Sequence, residues 1–210
     1  MTEPELHKSA LHDRHVAAEA KMGAEAGWAV PLSYGDVFDE VRHVRTRAGV
    51  SDVSHLGRIR IRGDGAVDLL ERACTAGVGR QEDDTAVYTL LCNERGGVLD
   101  DAVLTRLEGY WLLTCNACSR EKVLEHLGAM AEQFGAKVDD QTDKTAMLAV
   151  SGPSAAEVLD AVLPMRVSDL PAGAARSGSL LVARYVAMRT GYSGQWGLEV
   201  VLPRMVAGAA

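Results

Sequence analysis

From Asp36 to Ala48 the apolar residues Val37, Val41 and Val44 recur at intervals of four and three, the spacing of one helix face. Asp36 is a natural cap for that helix and Gly49 a natural stop. The run Arg58-Ile59-Arg60-Ile61-Arg62 instead alternates residue by residue, which predicts a half-buried strand. A short helix from Ala66 to Cys74, carrying Leu69 and Leu70, is expected next. Two β-type runs, Ala86 to Cys92 and Val98 to Leu107, flank Asn93-Glu94-Arg95-Gly96-Gly97, a joint with the turn residues of a hairpin. Tyr110 to Cys115 reads as a third strand. Ser119 is expected to cap a longer helix whose face is Val123, Leu124, Leu127, Met130, Ala131 and Phe134, ended by Gly135. Ala146 to Val150 reads as a buried strand. Ser154 and Glu157 then have the spacing of a capping box ahead of Val158, Leu159, Val162 and Leu163. A Gly/Ala/Ser-rich connector leads to strands over Leu180 to Met188 and Leu198 to Leu202, with Gly191 to Gly197 turning between them. In the first stretch a helix is expected from Leu6 to Ala26, carrying His7, His12 and His15, and Gly27 to Leu32 reads as an irregular connector.

Strands outnumber helices in this pattern and many are joined by short turns. That predicts an α+β fold with largely antiparallel sheets rather than an alternating parallel one. No Gly-x-Gly-x-x-Gly or Walker phosphate loop argues for a nucleotide site. At 210 residues, and about 150 per domain, one large domain or two small ones are expected. Hydrophobic residues make up 47% and charged residues 24%, a balance that excludes wholesale disorder. The net charge of −7, without Lys/Arg clusters, argues against a nucleic-acid platform. No apolar run is long enough for a membrane span, and the acidic start Met1-Thr2-Glu3-Pro4-Glu5 has no secretory core. Four cysteines in such a chain are expected as free thiols in a reducing compartment, so the expected location is cytoplasmic.

Three segments can carry chemistry. In Gly96-Gly97-Val98-Leu99-Asp100-Asp101 two adjacent carboxylates open a strand. Successive strand side chains face opposite ways, so one of the pair is expected to work and the other to face solvent or cap the turn. A charge inside the otherwise apolar run Val98 to Leu104 needs a partner. Cys115-Asn116-Ala117-Cys118 has C-x-x-C spacing, but Cys74 and Cys92 do not form the second pair a structural zinc requires, so ordinary thiols are expected. In Thr190-Gly191-Tyr192-Ser193-Gly194-Gln195-Trp196-Gly197-Leu198-Glu199 a Gly-rich turn presents an aromatic ring, followed by a strand carboxylate. Such a carboxylate accepts paired hydrogen bonds from an amidine-like edge, and the ring can cover a flat ligand; an ordinary hairpin has the same composition. His12 and His15 share a helix spacing that a metal could use, but a solvated helix face explains them without one.

Taken in order, His15, Gly27-Trp28, Pro31, Val44-Arg45-Thr46-Arg47-Ala48-Gly49-Val50, Ser51-Asp52-Val53-Ser54-His55-Leu56-Gly57, Asn93, Gly96-Gly97-Val98-Leu99-Asp100-Asp101, Asn116-Ala117 with Glu121-Lys122, Ser151-Gly152-Pro153 and Gly191-Tyr192-x-Gly-x-x-Gly-x-Glu199 resemble the aminomethyltransferase (T-protein) family of the glycine cleavage system. The resemblance implies a folate-binding domain over 1–56 plus 142–210, a ferredoxin-like α+β domain inserted over 57–141, and no C-terminal barrel. It implies transfer of the methylene of an aminomethyl-lipoyl group, carried by a lipoylated H-protein, to tetrahydrofolate as co-substrate, with release of ammonia and no metal. Asp101 corresponds to the catalytic position. Leu56, Tyr88, Thr114, Asn116, Tyr192 and Glu199 correspond to folate-cavity positions. Leu56 stands where the family usually has Met, a volume-conserving change, and Gln195-Trp196 stand where an acidic pair is commoner. Family members continue past Ala210, so the chain reads as a truncated form. The same scaffold also serves folate-dependent demethylases, and Gly191-Tyr192-Ser193-Gly194-Gln195 is faintly similar to the signature of folate-binding accessory proteins of iron–sulfur assembly, without its Cys.

Overall fold

The computed structural model describes residues 5–180 and 183–207. Leu181 and Val182, within the strand expected over Leu180 to Met188, lie outside the described residues, as does the acidic start through Pro4. The fold is α+β with largely antiparallel sheets. The chain divides into two compact units: residues 1–55, 144–172 and 178–210 form the first, and residues 56–143 and 173–177 the second.

The first unit opens differently from the helix expected over Leu6 to Ala26. Strand β1 (His7–Lys8) is followed by a short helix α1 (His12–Ala17) and then by β2 (Lys21–Glu25) and β3 (Trp28–Ser33). Ala26 and Gly27 both have positive φ, 46° and 81°. Two successive left-handed residues are the mark of a tight hairpin turn that matches strand twist, so the weak apolar stripe yields to a hairpin that buries Trp28 and Val30. These strands form a sheet in the order β1-β3-β2, with β1 parallel to β3. Helix α2 (Val37–Thr46) begins as the pattern requires, Asp36 accepting hydrogen bonds from the N–H groups of Phe38 and Asp39. Its apolar positions are nevertheless not core: no residue of α2 is buried.

A sheet in the order β11-β12-β13-β10-β4 supplies this unit with β4 (Gly49–Asp52), β10 (Thr145–Ser151), β12 (Ala183–Met188), β13 (Gly197–Pro203) and, from residue 178 onward, β11 (Ala175–Leu180). The region read as a connector ahead of Leu180 thus contains strand β11. Helices α5 (Ala155–Val162) and α6 (Arg204–Ala207) accompany the sheet. Ser154 makes no capping bond through its side chain, contrary to the capping box expected there; its N–H donates to the Arg47 carbonyl, 2.9 Å. Strand β13 is central and buried on both faces over Gly197 to Leu202, which is why it reads as an uninterrupted apolar run broken only by Glu199.

The second unit is a sheet in the order β6-β7-β8-β5-β9, built from β5 (Gly57–Arg62), β6 (Thr85–Cys92), β7 (Val98–Leu107), β8 (Tyr110–Cys115) and β9 (Lys137–Asp140). Helices α3 (Ala66–Ala73) and α4 (Arg120–Phe134) contribute Leu69, Leu70, Val123 and Leu127 to one core with Ile59, Ile61, Leu104 and Leu113. Helix α4 ends at Gly135 in the left-handed conformation, φ 67°. Ser119 does not cap it; a single 3-10 turn, Ala117–Ser119, leads in instead. At the mouth of α3, Gly65 lies against the end of α4 so closely that a Cβ there would stand 1.5 Å from the Phe134 carbonyl oxygen. The strand expected to be half-buried departs from alternation at Arg58, which is 0% exposed. Its guanidinium is accommodated because it donates to the carbonyls of Leu56 and Thr142, each at 2.6 Å, as a buried charge must.

Candidate functional site

The hairpin between β6 and β7 sets the position of the two adjacent carboxylates. Asn93 Oδ1 accepts from the N–H groups of Arg95 and Gly97, closing the turn, and Gly96 takes a φ of 76° that favours glycine. Cys92 pairs with Val98 and Leu91 with Asp100, so Leu99 is an extra residue, a β-bulge. Beyond it, Leu90 faces Asp101. Ala102, Leu104, Leu113 and Cys115 point into the core below the helices. By alternation Asp101 and Val103 occupy the opposite face of the sheet. Tyr88, Val103, Thr114 and Arg58 are paired in one row across four strands, so Tyr88 and Thr114 share that face.

Asp100 is buried and Asp101 exposed, and Asn116, one residue past the end of β8, ties them together. Its backbone N–H donates to Asp100 Oδ2 at 2.9 Å. Its side-chain Nδ2 donates to Asp100 Oδ1 at 3.0 Å and to Asp101 Oδ1 at 2.9 Å. Asp100 is thus the anchoring acid and Asp101 the presented one. The partner demanded by the buried carboxylate of Asp100 is an amide sixteen residues further on, just past the end of the neighbouring strand. The Tyr88 hydroxyl is raised above its ordinary pKa by desolvation, by the charge of Asp101 and its hydrogen bond, and by Asp100, so it remains a neutral donor beside them. Thr114 is buried, and Leu56 is half-buried at the entry to β5.

In the first unit, Tyr192 stands 93% exposed on a turn shaped by Gly191 and Gly194, φ 66° and 73°. Glu199 lies on β13 between Ala149 and Met188 and is buried. Burial pushes its carboxyl above the ordinary range, opposed by a hydrogen bond from Thr190. Trp196, one of the two departures noted in this turn, is stacked by the Arg189 guanidinium 5.5 Å from its ring centre.

A second polar cluster in this unit was not expected from the sequence. Asp52 Oδ2 accepts from Ser9 Oγ at 2.6 Å and from His15 Nε2 at 2.8 Å, while Asp52 Oδ1 accepts from the Ser54 N–H at 3.0 Å. The other ring nitrogen of His15, Nδ1, is 2.7 Å from the Tyr34 hydroxyl. Burial alone would raise the Asp52 carboxyl, but the hydrogen bonds from His15, Ser54 and Ser9 outweigh it and hold the pKa below the usual range. An ionised Asp52 only accepts, so a neutral His15 carries its proton on Nε2 and Tyr34 donates to Nδ1. Burial, Asp52 and Glu40 raise the Tyr34 hydroxyl, which keeps that donor protonated. His15 is therefore a buried hub rather than part of a solvated face, and both its nitrogens are committed.

Among the described residues no group of three or more His, Cys, Asp or Glu side chains is placed to hold a metal. All four cysteines are free. Burial pushes the Cys115 thiol up to about 12 and the Cys74 thiol up to about 11; Cys118 is exposed. No described helix is long and apolar enough to cross a membrane.

Residues 11–210 match the family model described as the GCVT N-terminal domain. The chain belongs to that family. An aminomethyltransferase of Streptomyces coelicolor is 37% identical over 201 residues, covering 95% of this chain and 54% of that protein. That of Thermotoga neapolitana is 35% identical over 198 residues, covering 94% and 54%. The chain thus spans about half the length of the curated relatives it matches. The crystal structure of glycine cleavage system aminomethyltransferase T from Bartonella henselae superposes with a TM-score of 0.89 at 35% identity, over 97% of this chain and 55% of that one. At 16% identity, a chain of the heterotetrameric sarcosine oxidase of Corynebacterium sp. U-96 shares the fold, with a TM-score of 0.62 over 96% of this chain and 89% of that chain.

Proposed function

We propose that this chain carries the acid and the folate contacts of a tetrahydrofolate-dependent aminomethyl transfer, the donor being an aminomethyl-lipoyl arm on an H-protein. The observation that carries the reading is the Asn116 clamp, which leaves Asp101 exposed with a fixed orientation while Asp100 is locked away. In the reaction two C–N bonds form from the methylene carbon to folate nitrogens, and its bonds to sulfur and to the amino nitrogen break. The two protons lost by the folate nitrogens end on the dihydrolipoyl sulfur and on ammonia. Asp101 orients the attacking N–H and stabilises the positive charge that builds on nitrogen as it bonds to carbon. Tyr88, kept neutral, supplies a hydrogen-bond donor on the same face. Glu199 fits an amidine-like ligand edge: a buried carboxylate whose charge is costly alone is stabilised by two parallel N–H donors. Tyr192 offers a ring to lie over the pterin. Leu56, Thr114 and Asn116 complete the folate contacts.

The reading is tested by titrating tetrahydrofolate into the chain and by assaying ammonia release with aminomethylated H-protein. Asp101→Asn is expected to leave folate affinity within a few-fold while cutting turnover by about 100-fold or more, the size of a positioned acid–base or charge contribution. Unchanged turnover rejects the assignment. Glu199→Ala is expected to weaken folate binding instead, and unaltered affinity removes its role.

A further inference from the structure

The Asp52–His15–Tyr34 chain of the first unit has no part in the transfer reaction, yet it has the members of a nucleophilic site. Asp52 Oδ2 holds His15 Nε2 at 2.8 Å, and His15 Nδ1 stands 2.7 Å from the Tyr34 hydroxyl. A carboxylate that orients a neutral imidazole, with a hydroxyl on the imidazole's remaining lone pair, is the order that activates a weak nucleophile. The side chains of Asp52 and His15 are 4% and 8% exposed, whereas Tyr34 is 49% exposed. Tyr34 and Asp52, the two ends of the chain, line one hollow of about 330 Å³, with Leu32, Glu40, His43, Val44 and Val50 among its other walls. That volume suits a small ligand. The open edge of β4 adds donors. The Val53 N–H bonds to the Met147 carbonyl, and β4 is an outer strand of its sheet. Alternation along an antiparallel pair therefore turns the N–H groups of Asp52 and Val50 outward, on the edge that borders the hollow, where they can stabilise an oxyanion. Glu40 Oε1 is fixed by the N–H groups of Tyr34 and Gly35, at 2.7 and 2.8 Å, and sets a negative charge in the wall.

We propose that this hollow is a second, acyl-transferring site for small uncharged or cationic activated esters, with Tyr34 as nucleophile, His15 as its general base and Asp52 as the positioning carboxylate. Tyr34 Oη bonds to the carbonyl carbon of the ester and gives its proton to His15 Nδ1. The bond from that carbon to the leaving oxygen then breaks, and the proton passes from Nδ1 to the departing alcohol. The acyl-tyrosine so formed is cleaved by water, which gives a proton to His15 as it bonds to the acyl carbon. Tyr34 Oη leaves and takes that proton back, so the sum is ester and water to acid and alcohol. The leaving group must be no more basic than a phenolate, since Tyr34 itself is one; hence the class is activated esters. Burial, Asp52 and Glu40 raise the Tyr34 pKa, so little phenolate is present and attack depends on His15 taking the proton as the bond forms. The inference is independent of the transfer reaction, since it uses none of the folate-contact residues.

The test is acetylation of the whole chain by p-nitrophenyl acetate at neutral pH, read by p-nitrophenolate release and by a peptide map. Tyr192, 93% exposed, is the internal reference. By access alone it should react before Tyr34; with the base in place Tyr34 is expected to be acetylated about 100-fold faster, the size of a general-base contribution. Both tyrosines belong to one folded molecule, so this comparison needs no variant. Tyr34→Phe should remove the fast phase and leave Tyr192 labelling as it was. His15→Gln should slow Tyr34 labelling by about 100-fold with an unchanged circular dichroism spectrum, and His43→Gln, which exchanges the other imidazole at the hollow, should leave it alone. Anionic p-nitrophenyl succinate should acylate Tyr34 about 10-fold more slowly than the acetate, because Glu40 and Asp52 both oppose it. Tyr34 labelling no faster than that of Tyr192 overturns the proposal. Labelling that survives His15→Gln in a folded chain, or that is lost in His43→Gln instead, also overturns it, as do equal rates with the two esters.

Discussion

The Ser9–Asp52–His15–Tyr34 cluster makes a quantitative prediction. Replacing Asp52 by Ala removes a carboxylate that accepts from Ser9, His15 and the Ser54 backbone, and its side chain is only 4% exposed. Hydrogen bonds to a charged group contribute about 1.5–3 kcal/mol each, but the carboxylate also regains the desolvation it suffers on folding. Removing one member of a buried polar network costs about 3–5 kcal/mol net, because the remaining donors are stranded. At about 2–4 °C per kcal/mol for a chain of this size, the melting temperature should fall by roughly 6–20 °C. The loss depends on pH with a definite sign. A carboxyl whose folded pKa is depressed contributes stability above its unfolded pKa of about 3.9 and loses it as pH falls through the lower folded value. The deficit of Asp52→Ala should therefore be full at neutral pH and shrink toward pH 3 and below. Urea unfolding reported by Trp28 alone, in a background with Trp111 and Trp196 replaced by Phe, reads the unit that holds the cluster. A deficit under about 1 kcal/mol at neutral pH, the scale of an exposed ion pair, refutes the reasoning. So does one that persists undiminished in acid.

Other substitutions probe other parts of the molecule. Gly65→Ala places a methyl 1.5 Å from a backbone carbonyl oxygen; the clash can be relieved only by separating α3 from α4, so a loss of roughly 3 kcal/mol or more is expected in thermal melts. Glu199→Gln removes a charge whose burial raises its pKa. The raised value means ionisation opposes folding above it, so this variant should melt a few degrees higher at neutral pH, about 2–4 °C per kcal/mol, and the gain should vanish in acid. Thiol labelling at pH 8 should modify the exposed Cys118 first. Cys115, buried and pushed up to about 12, should react only on the timescale of unfolding, as a peptide map would show.

What the sequence made legible is what short-range pattern controls. Strands β7 and β8 lie where alternation and apolar density placed them, and α2 begins at Asp36 because a cap is a local device. The hairpin over residues 93–97 was equally readable, since glycine and asparagine there meet a backbone requirement. The first thirty residues were not. Their apolar stripe is weak for a helix, and the turn at Ala26-Gly27 is set by two positive φ values, one of them on a residue that seldom adopts it. The serine caps failed for a different reason: Ser119 and Ser154 precede the right residues, but the chain reaches both helices through its own backbone turns. At the candidate site, the opposed faces of Asp100 and Asp101 followed from the strand period, whereas the clamp did not. Asn116 meets them only because β8 lies beside β7, a pairing no local pattern states. His15 shows the same limit, its partners lying nineteen and thirty-seven positions away.

The extra residue at Leu99 has a consequence for how this part of the chain tolerates change. A hairpin couples the length of its loop to the facing of every residue that follows, so a plain ladder would let any insertion near residues 93–97 turn Asp101 inward. An irregular step between loop and ladder uncouples the two. Length gained or lost at the tip can be taken up at Leu99, while downstream pairings from Leu91 with Asp100 onward keep the exposed Asp101 carboxylate where it is. Natural variation should thus be free in the tip and strict from Asp100 onward, and a survey of loop lengths among related chains would read that boundary directly.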